Sequence, residues 1–275
     1  MKPNKFDQFS SLAPLLLLIV LISSCAKYIQ IYETRSALEK NNNDNYVFEN
    51  DTLKISYAFW ASNGVMSFKI KNKLSVPIYI DWKKSAFIHN DLKLNYYADE
   101  TIIRSNSQYY LASVQPDDIT YGAGSSSTNS KVLKRERITF IPPNSEYFKF
   151  DFMLLSKYLL LDINSGTIGK KANPIYYMDF NSSNSPLVFR NFLSISVTED
   201  FKSEFYIDDE FYVSSIKEMK EKVFIGKKAK DSGGNLLYGT NGKPLYERPY
   251  QKMSSFYIYI PTKATITRYN LQNPN

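Results

Sequence analysis

Few side chains in this sequence have the chemistry of a catalytic centre, and the single histidine is the first of them. A Ser-His-Asp triad would have to use His89, and a zinc site with the usual two or three histidines cannot be built. His89 is followed by Asn90 and Asp91, a polar pair typical of a loop. The sequence therefore predicts a loop histidine, and it contains no glycine-rich phosphate loop or other cofactor motif.

The acidic side chains could support glycosidase or calcium chemistry. The tightest groups are Asp208-Asp209-Glu210 and Asp117-Asp118. A glycosidase needs two carboxyl groups at a fixed separation, but neighbouring side chains of a strand point to opposite faces. In a turn the same carboxylates could bind calcium, although their spacing matches no calcium-loop motif. A solvated turn between Tyr206 and Phe211 is the favoured interpretation, and no metal site is predicted.

The aromatic side chains, 22 Tyr and 18 Phe among them, could build either a core or a recognition surface. Amphipathic rings stack well on glycans and on protein partners, and packing between strands is the alternative use of the same rings. Tyr257 and Tyr259 alternate with apolar Phe256 and Ile258, which favours exposure of the two tyrosines. The candidate binding surface comprises Trp60, Trp82, Tyr257 and Tyr259.

The N-terminal residues have the pattern of a secretory signal peptide that ends at the only cysteine. Basic residues precede the apolar run Leu12–Ile22, and Ser23-Ser24 lead directly into Cys25. The run has 11 residues, whereas a helix that spans a bilayer needs about 20. The segment that ends at Cys25 resembles the lipobox of bacterial lipoproteins. The resemblance implies that Cys25 becomes the acylated first residue of the mature protein.

Acylation of Cys25 would leave the mature chain without a thiol, and therefore without a disulfide, a thiolate nucleophile or a cysteine metal site. The formal net charge is +7, and removal of the signal leaves a charge near +6. The basic runs Lys131–Arg137 and Lys217–Lys230 are either solvated strand edges or a contact with an anionic surface such as lipid headgroups. No nucleic-acid partner is expected for an exported protein.

The remaining sequence alternates with the period of β-strands. Three consecutive strands in a meander are predicted between Leu53 and Trp82, with a tight turn at Asn63-Gly64. The predicted organisation is a signal peptide over 1–24, a lipidated flexible tether over 25–45, a β-sandwich domain over 46–261 with insertions near 99–136 and 164–186, and a loose tail over 262–275. Gly122–Lys131 is expected to be mobile. Gly234–Tyr238 and Gly242–Tyr246 repeat a turn and a short strand eight residues apart.

Several stretches of the chain also resemble a known group of proteins. The stretches are Asn50–Tyr57, Gly64–Asn72, Pro77–Trp82, Thr139–Ser145 and Leu187–Tyr212. They resemble uncharacterised lipoproteins of the Bacteroidetes, and the resemblance implies an immunoglobulin-like sandwich at an envelope membrane. Together with the strand and turn pattern, this predicts an all-β, immunoglobulin-like antiparallel β-sandwich with long loop insertions.

The function expected from these features is that of a membrane-anchored envelope lipoprotein, acting as a non-enzymatic binding or assembly module. A glycan-binding accessory protein with surface Tyr and Trp residues is the alternative, and a carboxylate-dependent glycosidase is the third hypothesis. The expected partners are the membrane, through a lipid on Cys25, and an envelope protein or glycan. Ala26–Ile29 lacks the acidic residues that resemble a surface-export signal, which favours the periplasmic side of the outer membrane.

Overall fold

The computed structural model describes residues 27–97, 108–115, 118–125, 136–161 and 166–261. The predicted signal peptide, Cys25 and the predicted tail over 262–275 lie outside these residues. The described chain is almost entirely β-structure, and its α-helical part is the five-residue helix α1 (Glu221–Ile225).

Two large antiparallel sheets form the sandwich, with strands numbered in chain order. The larger sheet contains β1 (Tyr28–Arg35), β6 (Ile78–Asp81), β7 (Ala86–His89), β8 (Leu92–Asn95), β11 (Ile138–Ile141), β13 (Gly166–Ile168), β14 (Ile175–Asp179), β15 (Val188–Ser196), β16 (Glu204–Lys220) and β17 (Ser255–Ile260). The smaller sheet contains β2 (Glu39–Lys40), β3 (Tyr46–Glu49), β4 (Leu53–Tyr57), β5 (Val65–Asn72) and β12 (Glu146–Met153). A separate hairpin consists of β9 (Gln108–Gln115) and β10 (Asp118–Ser125).

The order of the main path in the larger sheet is β11-β6-β15-β16-β1-β17, and the smaller sheet has the order β12-β5-β4-β3-β2. The consecutive strands β5 and β6 lie in different sheets, as do β11 and β12, and these four strands pair as β5 with β12 and β6 with β11. The crossing from β5 to β6 and the crossing from β11 to β12 therefore lie side by side. The prediction of an all-β, immunoglobulin-like antiparallel sandwich is confirmed at this level of two packed sheets.

The core between the sheets is built from aromatic rings. Phe211 of β16 is fully buried, and its ring centre lies 4.9 Å from Tyr57, 5.0 Å from Phe59 and 5.3 Å from Phe189. Tyr57 belongs to β4 in the smaller sheet, so these contacts join the two layers. Aromatic pairs at such distances stabilise a core beyond the area that they bury.

Strand β1 corrects the predicted tether over 25–45. It lies between β16 and β17 and pairs with both. Ile29 and Ile31 face one side of the sheet, while Tyr32 faces the core between the sheets, and all three are buried. Both faces of β1 are covered, so its sequence does not alternate between apolar and polar residues. The polar Gln30 is tolerated inside because its side chain is hydrogen-bonded.

The turn at Asn63-Gly64 is confirmed, but it lies inside a longer connection between β4 and β5 and does not link the two strand ends directly. Both residues have positive φ, 65° and 64°, and a Cβ on Gly64 would lie 2.8 Å from the Phe256 ring. The connection between β4 and β5 reaches the edge of β17, where the Asn63 amide donates to the Tyr257 carbonyl at 2.7 Å. The third predicted strand of this region, β6, belongs to the larger sheet, whereas β4 and β5 belong to the smaller one. The predicted three-stranded meander is therefore wrong.

The predicted insertions contain regular structure. Gly122–Ser125, expected to be mobile, belongs to β10, and residues 126–131 lie outside the described residues. In the second insertion, β14 pairs with β16 and extends the larger sheet. The sequence of β10, DITYGAGS, is polar and contains glycine, which obscured this strand, because pairing with β9 does not require apolar side chains.

Candidate functional site

Three of the four predicted surface aromatics meet on the face of the larger sheet that points away from the smaller sheet. Trp60 stacks on Phe224 of α1 with ring centres 6.0 Å apart, and each ring lies 5.1 Å from Tyr257. Tyr259 meets Tyr257 edge-on at 5.6 Å. These four rings, Trp60, Phe224, Tyr257 and Tyr259, are the outer aromatic cluster. The first three pack in one apolar cluster with Ile29 of β1, and Tyr259 is the cross-strand partner of Ile29.

Burial decides which ring of the outer aromatic cluster a ligand could reach. Trp60 is only 7% exposed because the β4–β5 connection places it against α1, which corrects its prediction as a surface residue. Tyr257 is partly buried, whereas Tyr259 is 46% exposed. Burial raises the pKa of the Tyr259 hydroxyl, and the nearby Arg248 guanidinium opposes this shift.

Trp82 lies apart from this cluster, in the core between the sheets. It is 3% exposed, and its indole Nε1 donates to the Thr139 hydroxyl at 2.7 Å. The Lys149 ammonium lies 4.6 Å from the centre of its ring. The prediction of Trp82 as a surface residue is therefore wrong. Its position in sequence, in phase with Ile78 and Ile80 of β6, already placed it on an inward face.

The outer aromatic cluster lies at the N-terminal end of β1. Tyr28, the first residue of β1, pairs with Lys220 on one side and with Ile260 on the other. The next residue, Ile29, pairs with Tyr259. The Glu221 amide of α1 donates to the Lys27 carbonyl at 2.8 Å. The backbone of Lys27 is therefore held beside α1, and the start of β1 lies beside Tyr259.

Residues 227–250 form a small repeat unit directly after α1. The amides of Ala229, Leu237 and Leu245 each donate to a carbonyl of another member of this trio, at 2.9–3.0 Å, and close a ring of three hydrogen bonds. Two turns follow the same eight-residue spacing, since the Asp231 amide bonds to the Asn235 carbonyl and the Gly239 amide to the Lys243 carbonyl. The predicted repeat of a turn and a short extended segment is thus present in the fold.

A shallow pocket of about 360 Å³ lies on the outer face of β7, β15 and β16. Its lining consists of Lys84, Ala86, Ile88, Asp91, Lys93, Arg190, Phe192 and Asp208. Phe192 stacks on Tyr206 with ring centres 5.3 Å apart and 23° between the planes. Tyr206 is 56% exposed, so the two rings form an accessible aromatic pair. This volume is at the small end of ligand pockets, about 300–1,000 Å³.

Charged pairs frame the pocket. Arg190 lies 3.3 Å from Asp208, and Lys84 lies 2.8 Å from Glu204. The Lys84 ammonium holds the pKa of the Glu204 carboxyl below its ordinary value. Sequence reasoning missed this site, although Phe192 and Tyr206 both fall on the polar phase of their strands, which is the signal that could have revealed it.

The acidic group near residue 208 lies in β16, not in a solvated turn as predicted. Asp208 faces the pocket, while Asp209 is only 5% exposed and accepts a hydrogen bond from the Tyr57 hydroxyl at 2.6 Å. Asn191 Nδ2 donates to the same Tyr57 oxygen at 3.0 Å. Burial raises the pKa of Asp209 to about 6, against the lowering effect of the Tyr57 hydrogen bond. Alternation thus separates Asp208 and Asp209, and they form no carboxylate pair.

The other sequence candidates for chemistry are dispersed. His89 ends β7, and its Nε2 lies 3.0 Å from the Leu154 carbonyl, so it is a strand residue and not the predicted loop histidine. Asp117 lies outside the described residues, and Asp118 begins β10. Among the described residues, no group of three or more His, Cys, Asp and Glu side chains could hold a metal ion. No helix in the described part is long and apolar enough to cross a membrane.

Comparison of the chain with protein-family models, curated proteins and solved structures finds no match. Two surfaces of the described residues could receive a partner: the shallow pocket lined by Phe192 with Tyr206 stacked beside it, and the outer end of the larger sheet next to Lys27.

Proposed function

We propose that the protein is a lipid-anchored binding or assembly module of the bacterial envelope, held by Cys25 on the periplasmic side of the outer membrane. The lipobox-like segment before Cys25 supports the anchor, and the resemblance to Bacteroidetes lipoproteins supports the compartment. The observation that carries the proposal is the position of Cys25, which lies three residues before Tyr28, the first residue of β1. A lipid at this position would hold the sandwich close to the membrane without a long linker.

Substitution of Cys25 by alanine tests the anchor. We expect Cys25→Ala to abolish fatty-acid labelling, because the acyl chains attach to this sulfur. The variant protein should then be found in the soluble fraction or remain as an unprocessed precursor. Ser24→Ala is the matched control, because it changes the neighbouring residue and keeps the thiol. Intact-mass measurement of both variants gives the readout, and an unmodified mass for the native mature protein would refute the proposal.

Glycan binding is the second candidate, and the stacked pair of Phe192 and Tyr206 favours it. Sugar rings present their C–H faces to aromatic side chains and their hydroxyl groups to charged side chains. Arg190 and Asp208, at the edge of the same pocket, could exchange hydrogen bonds with such hydroxyls. This assigns the candidate glycan surface to Phe192 and Tyr206, and not to Trp60 or Trp82.

Removal of the exposed ring tests glycan binding. We expect Tyr206→Ala to weaken binding of an envelope oligosaccharide about tenfold, the effect of losing roughly 1.4 kcal/mol of stacking and ordering. Tyr238→Ala is the matched control, because Tyr238 is similarly exposed, at 59%, but lies in the 227–250 segment. Calorimetric titration with neutral and acidic peptidoglycan fragments measures both, and equal affinities for the two variants would remove the pocket as the glycan site.

A further inference from the structure

The segment 227–250, here called the platform, is attached at both ends to the helix beside Lys27. Its first residues follow α1, and at its end the Glu247 amide donates to the Lys227 carbonyl at 2.9 Å and the Arg248 amide to the Ile225 carbonyl at 3.2 Å. Helix α1 has five residues and a length of about 8 Å. The platform is therefore fixed next to the point where the chain leads back to Cys25.

Large apolar side chains are exposed on the platform. They are Leu236, Leu237, Tyr238, Leu245 and Tyr246. The repeat places Leu237 and Leu245 at equivalent positions, and the same holds for Tyr238 and Tyr246. Tyr259 of the outer aromatic cluster is exposed beside Arg248. Exposed apolar side chains grouped in this way mark a contact surface with a protein or a membrane.

Positive charge accompanies these apolar side chains. The platform has the basic residues Lys227, Lys228, Lys230, Lys243 and Arg248 against the acidic residues Asp231 and Glu247. None of the five basic side chains forms a salt bridge with another described residue. Basic residues mixed with Leu and Tyr are the composition of surfaces that lie in the headgroup layer of an anionic membrane.

We propose that the platform docks onto the anionic phospholipid surface of the membrane that holds Cys25; this inference rests on the proposed lipid anchor. Two residues separate Cys25 from Tyr28, so the extended chain from Cys25 to Lys27 spans at most about 7 Å. A lipid on Cys25 therefore holds the platform within reach of the headgroups. The excess positive charge would repel the same surface of a second copy, whereas phosphate groups complement it.

A fluorescent reporter on the platform tests this docking. Acylated Cys25 has no free thiol, so Leu237→Cys introduces the one reactive thiol of the mature lipoprotein. The intact lipoprotein, labelled there with an environment-sensitive dye and reconstituted into phosphatidylglycerol-containing vesicles, should show a blue-shifted emission that spin-labelled lipids quench. Leu92→Cys, at an exposed site in β8, is the matched control and should keep the emission of a dye in water.

The outcomes separate the platform from the anchor. If the acylated protein floats with the vesicles while the dye at residue 237 shows the same emission of a solvent-exposed dye as the dye at residue 92, the docking proposal is overturned and the anchor stands. A blue shift that is present before vesicles are added would assign the surface to a second copy and would also overturn it. Replacing Lys227 and Lys228 by Gln should lower the ratio of docked to undocked platform about fivefold for each lysine. Absence of lipid on Cys25 in the intact mass contradicts the anchor independently.

Discussion

Replacing Tyr32 by alanine is expected to lower the free energy of unfolding by about 3–5 kcal/mol, the cost of removing a large buried ring. Tyr32 is fully buried in β1 and stacks on Phe256 of β17, with ring centres 4.8 Å apart and an angle of 3°. Its hydroxyl donates to Gln30 Oε1 at 2.5 Å and accepts from the Leu159 amide at 3.0 Å. The substitution therefore opens a cavity and leaves buried polar groups without their partner.

Urea unfolding followed by tryptophan fluorescence measures this effect. Tyr32→Phe separates the ring from the hydroxyl, and its cost should be about 1–3 kcal/mol for the unsatisfied groups alone. Glu39→Ala is the control within the same predicted tether, since Glu39 is exposed, and its effect should stay within about 0.5 kcal/mol. Equal stability of the native protein and Tyr32→Ala would contradict the central position of β1.

Replacing Asp209 by asparagine is expected to stabilise the protein near neutral pH and to have little effect in acid. The pKa of Asp209 is about 6 in the folded protein, against an ordinary value of 3.8. Between these values the folded state keeps a proton that the unfolded state releases. Stability therefore falls as pH rises through this window, by about 3 kcal/mol in total. The amide of asparagine is neutral and still accepts the Tyr57 hydrogen bond, so the variant avoids this loss.

The difference in unfolding free energy between the native protein and Asp209→Asn should grow from near zero at about pH 4 to about 3 kcal/mol at about pH 7.5. Comparing the two proteins cancels the opposite contribution of carboxylates such as Glu33, whose pKa is lowered by Lys217 and Lys252 against the effect of burial. Asp208→Asn is the matched control, because it changes the adjacent carboxylate on the exposed face and should leave the pH dependence in place. A flat difference for Asp209→Asn would show that the carboxylate is not buried as described.

The sequence was informative about local geometry and less informative about burial. Alternation correctly separated Asp208 from Asp209, although the same residues were assigned to a turn, because a strand with charged residues on its outer face resembles a polar loop. In β1, Ile29 and Tyr32 face different packed layers, so no polar face was left to reveal the strand. The platform repeat was visible because its turns depend on nearby residues such as Asp231, which accepts from the Asn235 amide at 2.8 Å.

The candidate site shows the same division. Tyr259 could be assigned to an exposed phase from its neighbours alone, but the burial of Trp60 depends on α1, about 160 residues later in the chain. The stacking of Phe192 on Tyr206 depends on the register between β15 and β16, in which Phe192 pairs with Asp208, and no local pattern specifies this register. Alternation could therefore place each of these two rings on an outer face, but their stacking beside the pocket and the position of the platform beside Lys27 depend on how the strands pair.

By itself the sequence determined the strand periods, the positive φ values at Asn63-Gly64 and the eight-residue repeat, because each depends on residues within a few positions. Only the tertiary structure decided that β1 lies between β16 and β17 and that Trp60 is a packing residue. The physical reason is that φ and ψ preferences are local, whereas burial depends on which distant segment covers each face. In this protein a covering segment can be distant in sequence, as the contact of Trp60 with Phe224 of α1 shows.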